Sequence, residues 1–316
     1  MEISVVVPVY GCAECLVHLH ERLTDVLAEL GEPYEIVFVD DRSPDDSWTA
    51  LRRLAADDPR VRVVRLSRNF GQHAAITAGV SEAVGRWIVV MDCDLQDPPE
   101  EIPRLYAKAS EGYQIVFARR RVRRQPAVRR AANRVYFWLR KTLTGVDLET
   151  EHANLSIMSR KAANTFLDLK DVHRNFLLIL YWLGFEHTSI EFEHAERHAG
   201  ESSYTFRSLL RVAVDGLFFH TTVLLRWIVY LGFAVSLTSV GLAAFFVVSH
   251  FARHSYPGWT SIIVVLLLIG GFIIMSTGVA AMYVGKVFEQ VKGRPLYVVD
   301  ERLGSVARVE AQEIAD

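Results

Sequence analysis

Cysteine is scarce in this chain, with only Cys12, Cys15 and Cys93 among 316 residues. Three thiols make no disulfide framework, so the fold has to rest on an apolar core. Cys12 and Cys15 form a C-x-x-C after an apolar run, a spacing that redox pairs also use. Such a pair would explain nothing else in the sequence. Glycine-rich phosphate loops are missing too: there is no G-x-G-x-x-G and no G-x-x-x-x-G-K-[ST]. Any phosphorylated ligand must be held by other means. No repeat of 20–50 residues and no low-complexity tract is present, which excludes solenoids and propellers. The net charge of −2 says little about partners.

Charge is absent from two long runs, Trp227–Ser249 and Tyr256–Gly285. Each exceeds the roughly 20 residues that cross a bilayer core, so two transmembrane helices are expected. Arg207, Arg211 and Arg226 precede the first run, and Lys286, Lys292 and Arg294 follow the second. The loop between them, around His250–Gly258, holds only Arg253. The positive-inside rule then places both ends in the cytoplasm and the loop outside. Met1–Tyr10 carries Glu2, is short, and reads as a strand and not as a secretory leader. The expectation is a multi-pass protein of the cytoplasmic membrane with its soluble domain in the cytoplasm.

That soluble region alternates apolar runs with helical patterns. Ile3–Val7, Glu35–Val39, Val61–Leu66, Trp87–Met91 and Gln114–Ala118 read as buried strands. Between them, Leu16, Leu19, Leu23, Val26, Leu27 and Leu30 form one helical face, which Gly31–Pro33 ends. Pro44–Ala56, Phe70–Ala83 and Pro98–Ser110 are further expected helices. Such alternation implies βαβ units and a mostly parallel sheet covered on both faces.

Sheets of this kind bind ligands beyond the carboxyl ends of their strands. Tyr10 follows the first strand, Asp40 and Asp41 the second, and Asp92, Asp94 and Gln96 the fourth. Aspartates also start turns and cap helices, which suffices for Asp45 or Asp46. Four carboxylates on one rim ask for more. Asp92 and Asp94, two apart at a strand end, suit a hard divalent ion held by few protein oxygens and by ligand phosphates. Bound Mg²⁺ or Mn²⁺ would stabilise a diphosphate leaving group. Asp40 or Asp41 then remains for hydrogen bonds to a base or ribose.

Several segments match a known family in order: Val6–Tyr10 (VVPVY), Val39–Ser43 (VDDRS), Asn69–Gly79 (NFGQHAAITAG) and Met91–Pro99 (MDCDLQDPP), then Arg197–Tyr204 (RHAGESSY) and Val291–Tyr297 (VKGRPLY). The chain resembles the family 2 glycosyltransferases of GT-A fold. More narrowly it is similar to the polyprenyl-phosphate glycosyltransferases, which include dolichol-phosphate mannose synthases and bacterial undecaprenyl-phosphate glucosyltransferases. The resemblance implies a UDP- or GDP-sugar donor, a divalent ion and inversion at the anomeric carbon. By this likeness Pro8, Tyr10, Asp40 and Asp41 line the nucleotide site, Asp92 and Asp94 flank the metal, and Gln96 lies beside the sugar. Asp94 and Gln96 count among the expected catalytic residues. Gly11 and Cys12 replace the family's frequent Asn-Glu, Ser203 replaces a lysine, and Asn154 stands where an acidic residue is sometimes proposed as a base.

The implied acceptor is a polyprenyl phosphate, such as undecaprenyl phosphate. A phosphate monoester with a second pKa of about 6 is largely dianionic at neutral pH. It needs no base, only cations and alignment. Arg119 and Arg130 are the expected acceptor-phosphate residues by family position, and Arg197 the expected partner of the donor diphosphate. The arginine-rich stretch 119–134 also reads as a solvated face or a patch drawn to anionic lipids. It is a poor nucleic-acid surface, because Tyr136–Leu139 follows it on the way to the spans. His152, Glu149 and Glu151 read as loop residues.

The domain plan expected is a GT-A catalytic domain over 1–203, an amphipathic interfacial helix over 204–221, two spans over 222–285 and a cytoplasmic tail over 286–316. Partners would be the nucleotide-sugar, the lipid phosphate, membrane lipids and possible further copies of the chain. The product would supply glycan or cell-envelope assembly. A processive synthase is disfavoured because Val223 stands where a Gln-x-x-Arg-Trp motif needs glutamine. The remaining alternative is a non-catalytic membrane scaffold or lipid-binding protein of the same fold.

Overall fold

A computed structural model describes residues 1–120, 152–171, 174–192, 228, 230–232, 234, 237–238, 241 and 259–304. These fall into two compact units. One holds residues 1–120, 152–192 as described and 295–304; the other holds the described residues from 228 to 294.

The first unit is built on a sheet of eight strands: β1 (Ile3–Val9), β2 (Tyr34–Asp40), β3 (Val61–Leu66), β4 (Trp87–Val90), β5 (Ile115–Arg120), β6 (His152–Ser159), β7 (His187–Phe192) and β8 (Val299–Leu303). Their spatial order is β7-β5-β6-β4-β1-β2-β3-β8. β1 through β5 and β7 run one way, while β6 and β8 run the other. The sheet is therefore mixed, with β6 antiparallel between β4 and β5.

Every residue of β1 and β2 is buried, because helices cover both faces. Alternation divides them cleanly. Val5, Val7, Ile36 and Phe38 face the layer of α1 (Ala13–Leu30), α2 (Ser47–Asp57) and α4 (Ile102–Ser110). Val6, Val37 and Val39 face α3 (Gln72–Glu82), α5 (Arg160–Asp168) and α6 (Phe176–Trp182). α1 buries Leu16, Leu19, Leu23 and Leu27, one stripe at helical spacing, and ends where Gly31 turns left-handed. Truncating one of these leucines to Ala would cost about 2–5 kcal/mol. α3 presents small residues instead. A Cβ on Gly79 would overlap the Val6 side chain, so the glycine lets this helix lie close on β1.

The segment expected as a tail behaves differently from that expectation. Residues 299–303 form β8, antiparallel to β3, and the chain around them is fastened to the first unit. Ser67 N–H donates to the Val298 carbonyl at 2.9 Å, Arg42 pairs with Asp300 at 2.8 Å, and Arg302 with Glu82 at 2.8 Å. The charged pattern VDERL hides a strand because it lies at a sheet edge, where charge is tolerated.

In the second unit, α7 (Trp259–Val291) runs for 33 residues. At 1.5 Å per residue it is about 50 Å long, and Ile269–Val291 is apolar enough to cross a membrane. Among the described residues it is the one helix that is. The first expected span, Trp227–Ser249, lies for the most part outside the described residues, although Ile228, Tyr230–Gly232, Ala234, Leu237, Thr238 and Gly241 are helical. The interfacial segment 204–221 lies wholly outside them.

Behind α2, Asp58 gathers four donors. It accepts from the backbone N–H, Nε and Nη2 of Arg60, each at 2.9 Å, and pairs with His20 Nε2 at 3.1 Å. Burial pushes its carboxyl up, but the Arg60 and His20 contacts outweigh that and carry the pKa down to about 2. A lowered carboxyl pKa stabilises the fold fully above the unfolded value of about 3.9, and the contribution is lost as pH falls through about 2. Arg60 is 42% exposed, so solvent discounts the pair. Asp58→Asn should then lower stability at pH 7 by roughly 1–2 kcal/mol. It should also flatten the acid limb of a melting-temperature profile below about pH 5. An unchanged acid limb would refute this.

Candidate active site

Because β1, β2, β4 and β5 run one way, their carboxyl ends share one edge of the sheet. The amino end of antiparallel β6 reaches the same edge. Along it stand Arg119 on β5, Asn154 on β6, Asp92 to Gln96 after β4, Tyr10 after β1 and Asp40 with Asp41 at the end of β2. Arg130 and Arg197 lie outside the described residues, as do Glu149, Glu151 and Ser203.

Pro8 is buried in β1, opposite Val39. The Val6 carbonyl accepts from Met91 N–H, so Val6 faces β4, and by alternation Pro8 does as well. Pairing with β4 stops at Val90, opposite Val6. The proline's missing N–H thus falls where the ladder has ended and a cleft begins. Tyr10 follows with 53% exposure.

The loop after β2 is heavily tied. Asp40 is fully buried; its Oδ1 accepts from Ser43 N–H at 2.9 Å and its Oδ2 lies 3.3 Å from Arg65 Nε. That last contact is an ion pair without hydrogen-bond geometry, since both atoms lack a hydrogen-bond partner. The Arg65 guanidinium also lies 4.8 Å from the Trp48 ring centroid. Asp41, 3% exposed, accepts from Phe70 N–H at 2.7 Å and Gly71 N–H at 2.8 Å, which fixes the approach to α3. Burial raises the Asp41 carboxyl above its ordinary value and the Asp40 charge adds to it; the two N–H groups and Arg68 act the other way. Both carboxylates expected to reach for a base or ribose are thus engaged in holding loops.

After β4 the carboxylates are less enclosed. Asp92, Asp94 and Gln96 are all partly exposed. Asp94 Oδ1 accepts from Gln96 N–H at 3.2 Å. Asp92 accepts from Gln72 Nε2 at 2.7 Å, and from Asn154 Nδ2 at 3.1 Å on one oxygen and 3.0 Å on the other. Neither amide contact was legible in the motifs. No group of three or more His, Cys, Asp or Glu side chains able to hold a metal occurs among the described residues. Two partly exposed carboxylates two residues apart do fit an ion that takes its other ligands from phosphates and water.

Backbone strain collects on the same rim. Arg42 and Leu95, both at φ 60°, are the positive-φ non-glycine residues among those described. They lie in the loops after β2 and after β4. Each such residue costs on the order of 1–3 kcal/mol and persists only where its surroundings enforce it.

The sequence shows no disulfide framework, yet two of the three cysteines pair. Cys12 is bonded to Cys93, with Cα atoms 6.5 Å apart, while Cys15 is buried among the core residues of α1. Side-by-side β1 and β4 bring their following loops together, whereas Cys15 has already turned inward on the helix. A cavity of about 370 Å³ lined by Glu2, Arg86, Trp87, Tyr106, Ser110 and Gln114 lies at the opposite edge and holds none of the motif residues.

A sequence model described as glycosyl transferase family 2 matches residues 4–167. The chain belongs to glycosyl transferase family 2. It is a glycosyltransferase, as the ordered motifs implied. It is 35% identical over 309 residues to the uncharacterized glycosyltransferase YkcC of Bacillus subtilis, covering 96% of this chain and 95% of that one. It is 33% identical over 309 residues to the undecaprenyl-phosphate 4-deoxy-4-formamido-L-arabinose transferase of Proteus mirabilis, covering 96% and 94%. Among solved structures it is similar to glucosyl-3-phosphoglycerate synthase of Mycobacterium tuberculosis with Mn²⁺ and UDP-glucose. That likeness has 18% identity and a TM-score of 0.48 over 70% of this chain and 79% of that one.

The Cys12–Cys93 bond closes a loop of 81 residues of sequence. Reduction by dithiothreitol should lower stability by about 2–4 kcal/mol. Non-reducing peptide mapping should recover a Cys12–Cys93 peptide, and Cys15 should resist alkylation until the protein unfolds. Recovery of both thiols unbonded after air oxidation would refute the pairing.

Proposed function

We propose that this family 2 glycosyltransferase moves a sugar from a UDP- or GDP-sugar to a polyprenyl phosphate, with inversion at the anomeric carbon. The observation that carries this is likeness over nearly the whole chain to an undecaprenyl-phosphate sugar transferase, joined to an Asp92/Asp94 rim and an apolar helix of membrane-crossing length. The chain is then a membrane protein with two spans and its catalytic unit in the cytoplasm.

In this reading the nucleotide lies over the ends of β1 and β2. Pro8, Asp40 and Asp41 shape its floor, and the exposed Tyr10 ring offers a stacking surface. Asp92 and Asp94 would hold Mg²⁺ or Mn²⁺, and such an ion would supply positive charge to a departing diphosphate. Gln96 lies beside the sugar. Arg119, with Arg130, receives the acceptor phosphate, and Arg197 the donor diphosphate.

The chemistry needs little else. An acceptor phosphate oxygen attacks the anomeric carbon from the side opposite the diphosphate. A carbon–oxygen bond forms, the bond to the β-phosphate breaks, and its electron pair leaves with the nucleoside diphosphate. No proton has to be removed from a dianionic phosphate, so the amide at residue 154 is no obstacle.

Purified protein in detergent, given undecaprenyl phosphate and a panel of UDP-, GDP- and dTDP-sugars, should form glycolipid with one donor. Chelating the metal should abolish this. Asp94→Asn should reduce kcat/KM by about a hundredfold or more, the loss of several kcal/mol of charge stabilisation. The rate should fall as pH drops below about 6, where the acceptor dianion is protonated to the monoanion. Should no nucleotide-sugar bind at all, the scaffold alternative would replace this one.

A further inference from the structure

On the rim, the partly exposed Asp92 accepts from two side-chain amides, those of Gln72 and Asn154. The β4–β6 ladder shows why Asn154 reaches it. Trp87 faces Ser159, Ile88 faces Met158, Val89 faces Ile157 and Val90 faces Ser156. Two further steps of this antiparallel register put residue 154 across from residue 92, at the distance where opposite side chains meet. Gln72 comes from the other direction, as the first residue of α3, whose approach is fixed by the Asp41 bonds to Phe70 and Gly71.

Both partners are primary amides. Facing a carboxylate, an amide must present its NH₂, since its oxygen would be repelled. Gln72 and Asn154 therefore give hydrogen bonds and no charge. A lysine or arginine at either place would cancel the Asp92 charge. An acidic residue at 154 would set a second carboxylate against it. The amides do neither: they restrict rotation of Asp92 and bring no charge of their own to it.

We propose that Gln72 and Asn154 are positioning residues for Asp92, and that the amide at 154 makes divalent-ion binding depend on the nucleotide diphosphate. With two protein carboxylates the site holds the ion weakly by itself and firmly once phosphate oxygens complete the shell. A third carboxylate would remove that dependence, because ligand charge count sets the affinity of such sites. The consequence is an enzyme that takes its metal together with its donor. The inference rests on the metal-dependent donor site described above.

The test reads metal binding without turnover. Free Mn²⁺ is followed by electron paramagnetic resonance as it is added to the full-length protein, alone and with UDP or GDP. Wild type should bind Mn²⁺ at least tenfold more tightly with one of the nucleotides than without. Gln72→Ala, at an exposed position, and Asn154→Ala should each weaken nucleotide-assisted binding on the order of tenfold. Asn154→Asp, nearly isosteric, should bind Mn²⁺ alone on the order of tenfold more tightly than wild type and lose most of the nucleotide dependence. Melting temperatures identify any variant that fails to fold, and Gln72→Ala then carries the test. Wild-type behaviour in all three variants would overturn the positioning role and leave the donor site standing. If wild type binds Mn²⁺ under none of these conditions, the metal-dependent donor site falls, and this inference with it.

Discussion

The parallel pairing of β1 with β2 on one side and β4 on the other is what the rest of the molecule depends on. Three strands aligned in one direction end at one edge, so the loops that follow them lie side by side. Everything chemical in the first unit uses that edge. The helices on both faces bury the strands fully and leave the strand ends as the place where polar groups can gather. A residue far away in sequence, Asn154, joins them only because β6 enters against the grain.

The rim is divided between buried groups that build loops and groups that solvent still reaches. Asp40 and Asp41 are buried; one oxygen of Asp40 accepts from Ser43 and both of Asp41 accept from Phe70 and Gly71. Asp92 and Asp94 remain accessible, with Asp92 steadied by amides. Left-handed Arg42 and Leu95 sit inside these same loops, so the bonds that hold them also hold a strained backbone. The Cys12–Cys93 bond adds a covalent tie between the loops after β1 and β4. Such a bond persists in oxidising compartments and opens in a reducing cytoplasm, so its state there follows the surrounding thiol pool.

Local features of the fold were legible from the sequence. β3 runs over Val61–Leu66 as its β-branched pattern implied, and the leucine stripe of α1 is buried as spaced. What escaped is non-local. β8 is a charged edge strand whose partner lies more than 200 residues earlier, and no periodicity announces that pairing. Cys93 lies 81 residues from Cys12, and three cysteines without a framework announce no bond between them. Asn154 drew notice as a departure from a motif, but its hold on Asp92 exists only through the register of β4 and β6. Asp40 and Asp41 are placed at a strand end by the sequence, but their bonds to Ser43, Phe70 and Gly71 are set by how the following loops turn.

β8 has one more consequence. The chain leaves the sheet after β7 and rejoins it at β8, so both ends of the intervening stretch belong to one folded body. A bilayer cannot run between strands that share backbone hydrogen bonds. Whatever membrane lies along that stretch must therefore be crossed an even number of times.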